Sequence, residues 1–212
     1  MSESVAIIPT YNESGNISNI LENIQDLSIK FDVIVVDDNS PDGTGDIIKN
    51  FIVKKKFNIN ITLIVRKVKD GLGSAYIEGF QKAISLNYKF IFQIDCDGSH
   101  NPKKLVEMKK TLVNDSDIVV GSRYIKGISV LHWPLPRLLL SIFANYYVKF
   151  ITGMKVNDST GGFNGYSRDA LESILKNKIT FQGYAFQIQM KFIGYKLGFK
   201  IKEIPIIFKD RE

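Results

Sequence analysis

Short apolar runs alternate with amphipathic stretches along the first half of the chain. Val5–Ile8 is an unbroken apolar run that meets Pro9 and predicts a buried strand. Between Asn16 and Leu27, the residues Ile17, Ile20, Leu21, Ile24 and Leu27 recur at the spacing of one helix face. Val33–Val36 predicts a second strand. It is closed by Asp37-Asp38-Asn39-Ser40-Pro41-Asp42-Gly43, which is dense in turn and helix-start residues. Ile47, Ile48, Phe51 and Ile52 predict a helix, and Ile61–Val65 a third strand. Gly71-Leu72-Gly73 precedes a helix over Ser74–Leu86, and a strand runs through Phe90–Ile94. Asn101-Pro102 reads as an N-cap followed by proline at the first helical position, with Leu105, Met108 and Leu112 on the buried face. Ile118–Val120 predicts one more strand.

Strands joined by crossover helices imply an α/β protein, with a mainly parallel central sheet flanked by helices. Ligands bind beyond the carboxyl ends of strands in such sheets. Those ends carry Tyr11, Asn12 and Glu13, then Asp37 and Asp38, Asp95 and Asp97, and Arg123. The second half reads differently. Trp133-Pro134-Leu135-Pro136-Arg137 is a rigid aromatic turn, followed by Leu138–Ile151, rich in Leu, Ile, Phe and Tyr. Asp158-Ser159-Thr160-Gly161-Gly162-Phe163-Asn164-Gly165 reads as a glycine-rich loop that permits close backbone approach. Helical spacing returns at Arg168–Leu175 and Tyr184–Tyr195, and a β-like run at Ile204–Phe208. No repeat or linker divides residues 1–212, so one compact domain is expected.

Composition narrows the classes. The 212 residues are 44% hydrophobic and 24% charged, as in an ordinary globular protein. The single cysteine, Cys96, excludes an internal disulfide framework and a thiolate-rich zinc site. Polar Ser2-Glu3-Ser4 does not read as a secretory signal, and no apolar run approaches the ~20 residues of a membrane span. These features predict a cytoplasmic protein. The net charge of +6, with lysines at 54–56, 103–104 and 109–110, suits anionic partners. No zinc finger, RNP-type aromatic pair or GxxG clamp is present, so nucleic acid is not expected among them.

The chemistry concentrates at Asp95-Cys96-Asp97-Gly98-Ser99-His100. In a strand, residues i and i+2 share a face, which would aim Asp95 and Asp97 at one point. Paired hard oxygen donors suit Mg²⁺ or Mn²⁺, which take further ligands from substrate phosphates. A strand followed by an Asp-Gly turn is the plainer alternative. The first strand is not followed by G-x-G-x-x-G, there is no Walker-type G-K-[ST], and no G-x-S-x-G elbow exists. What remains is an aromatic (Tyr11), two carboxylates able to bind a base or ribose (Glu13, Asp38), a metal-binding pair and arginines. That set fits a nucleoside diphosphate held by base, ribose, metal-bridged pyrophosphate and cationic clamp.

In order along the chain stand Ile8-Pro9-Thr10-Tyr11-Asn12-Glu13, Val35-Val36-Asp37-Asp38-Asn39-Ser40-Pro41-Asp42-Gly43-Thr44, Gly71-Leu72-Gly73, Asp95-Cys96-Asp97-Gly98-Ser99-His100, Gly121-Ser122-Arg123-Tyr124 and Trp133-Pro134. This ordered set, covering nearly the whole chain, resembles glycosyltransferase family 2 with its GT-A (Rossmann-like) fold. Within that family it is most similar to the dolichyl- and polyprenyl-phosphate mannose synthases. The resemblance implies transfer of a hexose, mannose from GDP-mannose, onto a dolichyl or polyprenyl phosphate with inversion. It implies that Pro9, Tyr11, Glu13, Val36 and Asp38 hold the nucleotide. Asp95, Cys96 and Asp97 would hold metal and diphosphate, with Cys96 where relatives usually carry alanine, and Ser99 would stand at the metal. Arg123 and Arg137 match arginines that bind donor or acceptor phosphate. Arg211 matches the start of an R-x-x-G-x-S-K segment. Relatives continue past that point, so a truncated C-terminal tail is expected.

The resemblance divides the chain into a nucleotide-sugar half, about 1–125, and an acceptor half, about 126–212. Asp97, Arg123 and Arg137 are the residues expected to carry catalysis. An acceptor phosphate is already anionic near neutral pH, so no protein base is required. Orientation and the charges of metal and arginines would suffice. Three alternatives stay open: another nucleotide sugar such as UDP-glucose, a non-lipid acceptor, or a nucleotide-sugar-binding module without turnover. For a hydroxyl acceptor the family usually supplies a carboxylate in an E-D-type motif, and Gln182–Gln187 contains none. The helix over Leu138–Ile151 is either core or membrane contact. Trp133, Tyr146, Tyr147 and Lys149 are residue types of a membrane interface. Together these imply a peripheral protein on the cytosolic face of a membrane, touching it directly or through an anchoring partner.

Overall fold

The computed structural model describes residues 2–210, so Arg211 lies outside the described residues. Among them, β1 (Ser4–Thr10), β2 (Asp32–Asp37), β3 (Ile61–Val65), β4 (Phe90–Gln93), β5 (Ile118–Ser122), β7 (Asn164–Ser167) and β8 (Ile201–Pro205) form one sheet in the order β3-β2-β1-β4-β7-β5-β8. β7 is antiparallel to both its neighbours, and the other pairings are parallel. A second small sheet pairs β6 (Val130–Leu131) with β9 (Phe208–Lys209). The helices are α1 (Ile17–Gln25), α2 (Thr44–Val53), α3 (Leu72–Ser85), α4 (Lys104–Asn114), α5 (Leu135–Thr152), α6 (Arg168–Leu175) and α7 (Gly183–Lys196).

Strand parity builds two cores. Successive side chains point to opposite faces, and a sheet covered on both sides needs apolar residues at both parities. Ala6, Ile8, Val33, Val35 and Phe92 pack against Ile17 and Leu21 of α1, Ile48 of α2, and Leu105 and Met108 of α4. Val5, Ile7, Ile34, Val36 and Ile91 pack against Tyr76 and Phe80 of α3, Leu171 of α6 and Met190 of α7. Helix α3 comes so close to β1 that a Cβ at Gly79 would collide with Ile7.

Pro9 lies within β1, although it was expected to end the strand. Pairing with β4 stops at Ile7↔Gln93, so Pro9 lacks its N–H on a side where no ladder remains. Helix α4 starts two residues after Asn101-Pro102, because Asn101 first caps a turn, its Oδ1 accepting from the Lys103 N–H at 3.0 Å. The strands β6 and β7 were not anticipated. β7 is Asn-Gly-Tyr-Ser, with no apolar run to announce it. Its Gly165 is required because a Cβ there would lie 2.6 Å from the Phe92 ring.

Candidate active site

The loops after β1 and β2 are stitched together by side chains of the Asp37–Thr44 motif. Asp37 Oδ1 accepts from the Thr10 hydroxyl at 2.8 Å and the Ser40 hydroxyl at 2.6 Å, and Ser40 Oγ accepts from the Asn12 N–H at 3.1 Å. Asp42 accepts from the Ser14 N–H at 2.9 Å, while Thr44 Oγ1 accepts from the Glu13 N–H at 3.0 Å. Burial pushes the Asp42 carboxyl up, but hydrogen bonds from Thr44 and Ser14 outweigh it and hold it well below the usual carboxylate range. Asn12 and Asn39 adopt φ of 60° and 55°, which asparagine tolerates better than most residues. The motif therefore spends most of its polar groups on the shape of the strand ends. Asp38 is bound too, its Oδ1 accepting from Arg66 Nη1 at 2.8 Å. Burial raises its pKa despite that partner. Tyr11 stays partly exposed, with the Lys69 ammonium 3.7 Å from its ring centroid.

The two aspartates meet, but by a different route from the one expected. β4 ends at Gln93, and Asp95 and Asp97 lie in the turn beyond it. Both line a cavity of about 450 Å³ whose other walls include Arg123, Arg137, Gly162 and Gln187. Asp95 Oδ1 accepts from the Tyr76 hydroxyl at 2.8 Å. Burial, with Asp95 beside it, keeps that phenol protonated well above its ordinary range, so it remains a donor. Gly98, at φ 74°, turns the chain so that the Ser99 N–H donates to Asp97 Oδ1 at 3.0 Å. His100 lines the same cavity, Nε2 lying 3.8 Å from Asp95 Oδ2, and burial lowers its pKa.

The opposite wall is the loop before β7. Arg123 grips Asp158 through Nε at 2.7 Å and Nη2 at 2.6 Å, and its backbone N–H adds a third bond at 2.9 Å. Burial pushes the Asp158 carboxyl up, but these bonds prevail and hold it below its ordinary value. Glu203 of β8 accepts from the N–H groups of Asn157 and Asp158. Asn145 of α5 accepts from both the N–H and the hydroxyl of Ser159 at 2.7 Å. Lys191 of α7, fully buried, donates to the carbonyls of Ser159 at 3.1 Å and Gly161 at 2.7 Å. Burial lowers its pKa to about 7, against the opposing pull of Asp158. Arg137 stacks on Trp133 at 4.3 Å and pairs with Asp210 at 2.7 Å, its side chain still 41% exposed.

Several expected site residues stand elsewhere. Val36 is fully buried in the core beneath α3, because both faces of β2 are covered. Cys96 also packs into the core. Ser99 has its side chain buried, lining a separate groove with Cys96 and Gly98, because Gly98 swings the chain round, and only its N–H serves the carboxylate turn. Pro9 lies near the end of β1, Tyr11 and Glu13 follow it, Asp38 follows β2, and none of the four is among the residues lining the carboxylate cavity. Arg66, Tyr76, Asn145, Gln187, Lys191 and Glu203 were missed as site residues.

The donor set fits a hard divalent cation in part. Two carboxylates converge, yet among the described residues no group of three or more His, Cys, Asp or Glu is placed to hold a metal. The remaining ligands would come from a bound diphosphate and water, as Mg²⁺ and Mn²⁺ allow.

The mixed sheet carries a carboxylate turn at the end of β4 that faces arginines across a cavity, and the sequence places this architecture among the glycosyltransferases. The Glycosyl transferase family 2 profile matches residues 5–175, and the chain belongs to that family. It is 36% identical over 209 residues to the polyprenol monophosphomannose synthase of Mycolicibacterium smegmatis, covering 99% of this chain and 78% of that protein. It is 37% identical over 208 residues to the undecaprenyl-phosphate mannosyltransferase of Micrococcus luteus, covering 98% and 84%. Among solved structures, the mannosyltransferase PcManGT of Pyrobaculum calidifontis, in complex with GDP-Man and Mn²⁺, superposes with a TM-score of 0.69. Its identity is 17%, and the match covers 99% of this chain and 56% of that one. The fold is GT-A.

Proposed function

We propose that this protein is a metal-dependent, inverting glycosyltransferase that moves mannose from GDP-mannose onto a polyprenyl phosphate at a membrane surface. The observation that carries the reading is one cavity with Asp95 and Asp97 on one wall and Arg123 and Arg137 on the other. Relatives at 36–37% identity bear the names of polyprenol and undecaprenyl-phosphate mannosyl enzymes, which supports lipid phosphate as acceptor. A bound divalent cation would be held by Asp95 and Asp97 and would neutralise charge on the leaving diphosphate. Arg137 supplies an accessible guanidinium for the anionic acceptor, its planar fork suited to phosphate. Arg123 acts differently: tied to Asp158, it shapes the wall and contributes a largely compensated charge. Residues 1–125 would bind the donor and 126–212 the acceptor, with Arg211 joining the latter. The protein would lie peripherally at the cytosolic face, where a nucleotide sugar and a lipid phosphate can meet; among the described residues no helix is long and apolar enough to cross a membrane.

A thermal-shift panel with GDP, GDP-mannose, UDP and UDP-glucose, each with Mg²⁺ or Mn²⁺, tests the donor. GDP with Mn²⁺ should raise the melting temperature, and Asp97→Ala should abolish the metal-dependent part. An unchanged shift in that variant would sink the metal assignment. Radiolabel from GDP-mannose should appear in an organic-phase lipid when polyprenyl phosphate is supplied. Label confined to water-soluble products would favour a non-lipid acceptor instead.

A further inference from the structure

Behind Gly161 and Gly162 lies a buried amide network. The Gly161 carbonyl can only accept, so the Asn164 amide must turn Nδ2 toward it, at 3.1 Å. The same Nδ2 lies 3.1 Å from Gln93 Oε1 and 3.1 Å from Gln187 Oε1, so its two N–H groups are shared among three acceptors. Gln93 Oε1 also accepts from the Tyr166 hydroxyl at 2.8 Å, and Gln93 Nε2 donates to Gln187 Oε1 at 3.3 Å. Gln187 Oε1 faces this network and accepts from both Asn164 and Gln93. Its Nε2 turns out of the network.

That outward nitrogen has no hydrogen-bond partner among the described residues, although Gln187 is only 2% exposed. The residue lines the cavity shared by Asp95, Asp97 and Arg123. Gly162 lies between amide and carboxylate: a Cβ there would sit 3.6 Å from Gln187 Nε2 and 3.5 Å from Asp95 Oδ2. Buried amide donors are rarely left unmade, and an orphan at a cavity wall marks where a ligand atom is expected.

We propose that Gln187 Nε2 donates to a hydroxyl oxygen of the transferred hexose and is a specificity-determining residue for the sugar. This rests on reading the cavity as a nucleotide-sugar site. Anionic oxygens would be met by Arg137 and by a cation held on Asp95 and Asp97. A neutral N–H suits a neutral hydroxyl. A glutamine here also cannot take a proton, so its role is limited to donating and accepting hydrogen bonds.

Calorimetric titration of the full chain with Mn²⁺, GDP and GDP-mannose tests this on wild type and on Gln187→Met, which keeps the length and removes the donor. Gln187→Met should hold GDP within about twofold and lose about tenfold in affinity for GDP-mannose. Among single-deoxy analogues of GDP-mannose, one should lose about tenfold on wild type and nothing further on the variant, since the two changes delete the same bond. Equal losses for GDP and GDP-mannose, no loss for either, or deoxy losses that add to that of the variant would each overturn the assignment. Should Gln187→Met fail to fold, the wild-type series still decides, because a flat response across all deoxy positions contradicts a buried donor on a hydroxyl. A wild type that binds neither GDP-mannose nor UDP-glucose overturns the reading of the cavity and this inference with it. Wild-type binding that is indifferent to Gln187 overturns the inference alone.

Discussion

Helices α3 and α5 are both long and both rich in apolar residues, and they end up in opposite situations. α3 buries Gly73, Ala75, Tyr76, Gly79, Phe80 and Ala83 against the sheet. α5 buries one residue of its 18, and that residue is polar: Asn145. Leu139, Leu140, Phe143, Tyr146 and Phe150 are exposed, Phe150 at 86%. The difference is topological. α3 is the crossover between parallel strands β3 and β4 and must lie on a face of the sheet. α5 connects β6 to the reversed strand β7, so no sheet face is reserved for it. Burial of apolar surface holds α3 in place. Hydrogen bonds donated by Ser159 to Asn145 tether α5, leaving a wide apolar surface of the kind that marks a contact region. Helical periodicity reveals an apolar face without saying what covers it.

The largest effect that would break this contrast is expected in α3. Phe80→Ala should cost about 3–5 kcal/mol in urea unfolding, as for a fully buried aromatic. Its ring stacks on Tyr76, which orients Asp95, so the metal-dependent thermal shift should shrink as well. Next comes Asn145→Ala, which strands the Ser159 N–H and hydroxyl. A loss of about 1–3 kcal/mol is expected, measured against a Ser141→Ala control. The smallest change in stability should come from Phe143→Ser with Phe150→Ser, about 0.5 kcal/mol or less. Co-sedimentation of that pair with anionic-lipid vesicles should nevertheless fall severalfold. If it unfolds as readily as Phe80→Ala, α5 is packed in solution and the contrast is false.

Legibility followed the same division. The first half could be read because its strands are continuous Val and Ile runs, buried on both faces, set between amphipathic helices. β7 could not, since Asn164, Gly165 and Ser167 are chosen for a polar network and a close approach rather than for apolar burial. Asp95, Asp97, Arg123 and Arg137 were visible as chemistry and do share a cavity. The residues that aim them were not. Tyr76 and Arg66 look like an ordinary core aromatic and an ordinary surface cation until their partners are known. Lys191 and Gln187 carried one overlooked signal: with Met190 and Gly194 they fall on a single helical face at i, i+3, i+4 and i+7, all buried. Position was legible there, and the polar identity hid its meaning. The Asp37–Thr44 motif erred the other way, since its most recognisable residues build the scaffold.

The reversed strand β7 also has a consequence in time. Because β7 runs against β4 and β5, the segment that precedes it in sequence lines the cavity, and its supports come later still. Asp158 waits for Glu203, the Ser159 and Gly161 carbonyls for Lys191, and the Gly73 N–H for Gln182, which lies 109 residues downstream. A chain emerging from the ribosome can lay down the carboxylate turn long before the wall opposite it can close. Synthesis proceeds at about 5–20 residues per second, so several seconds separate Asp97 from Glu203. The nascent protein therefore holds half a site during that interval, and binding competence arrives only with the last strands.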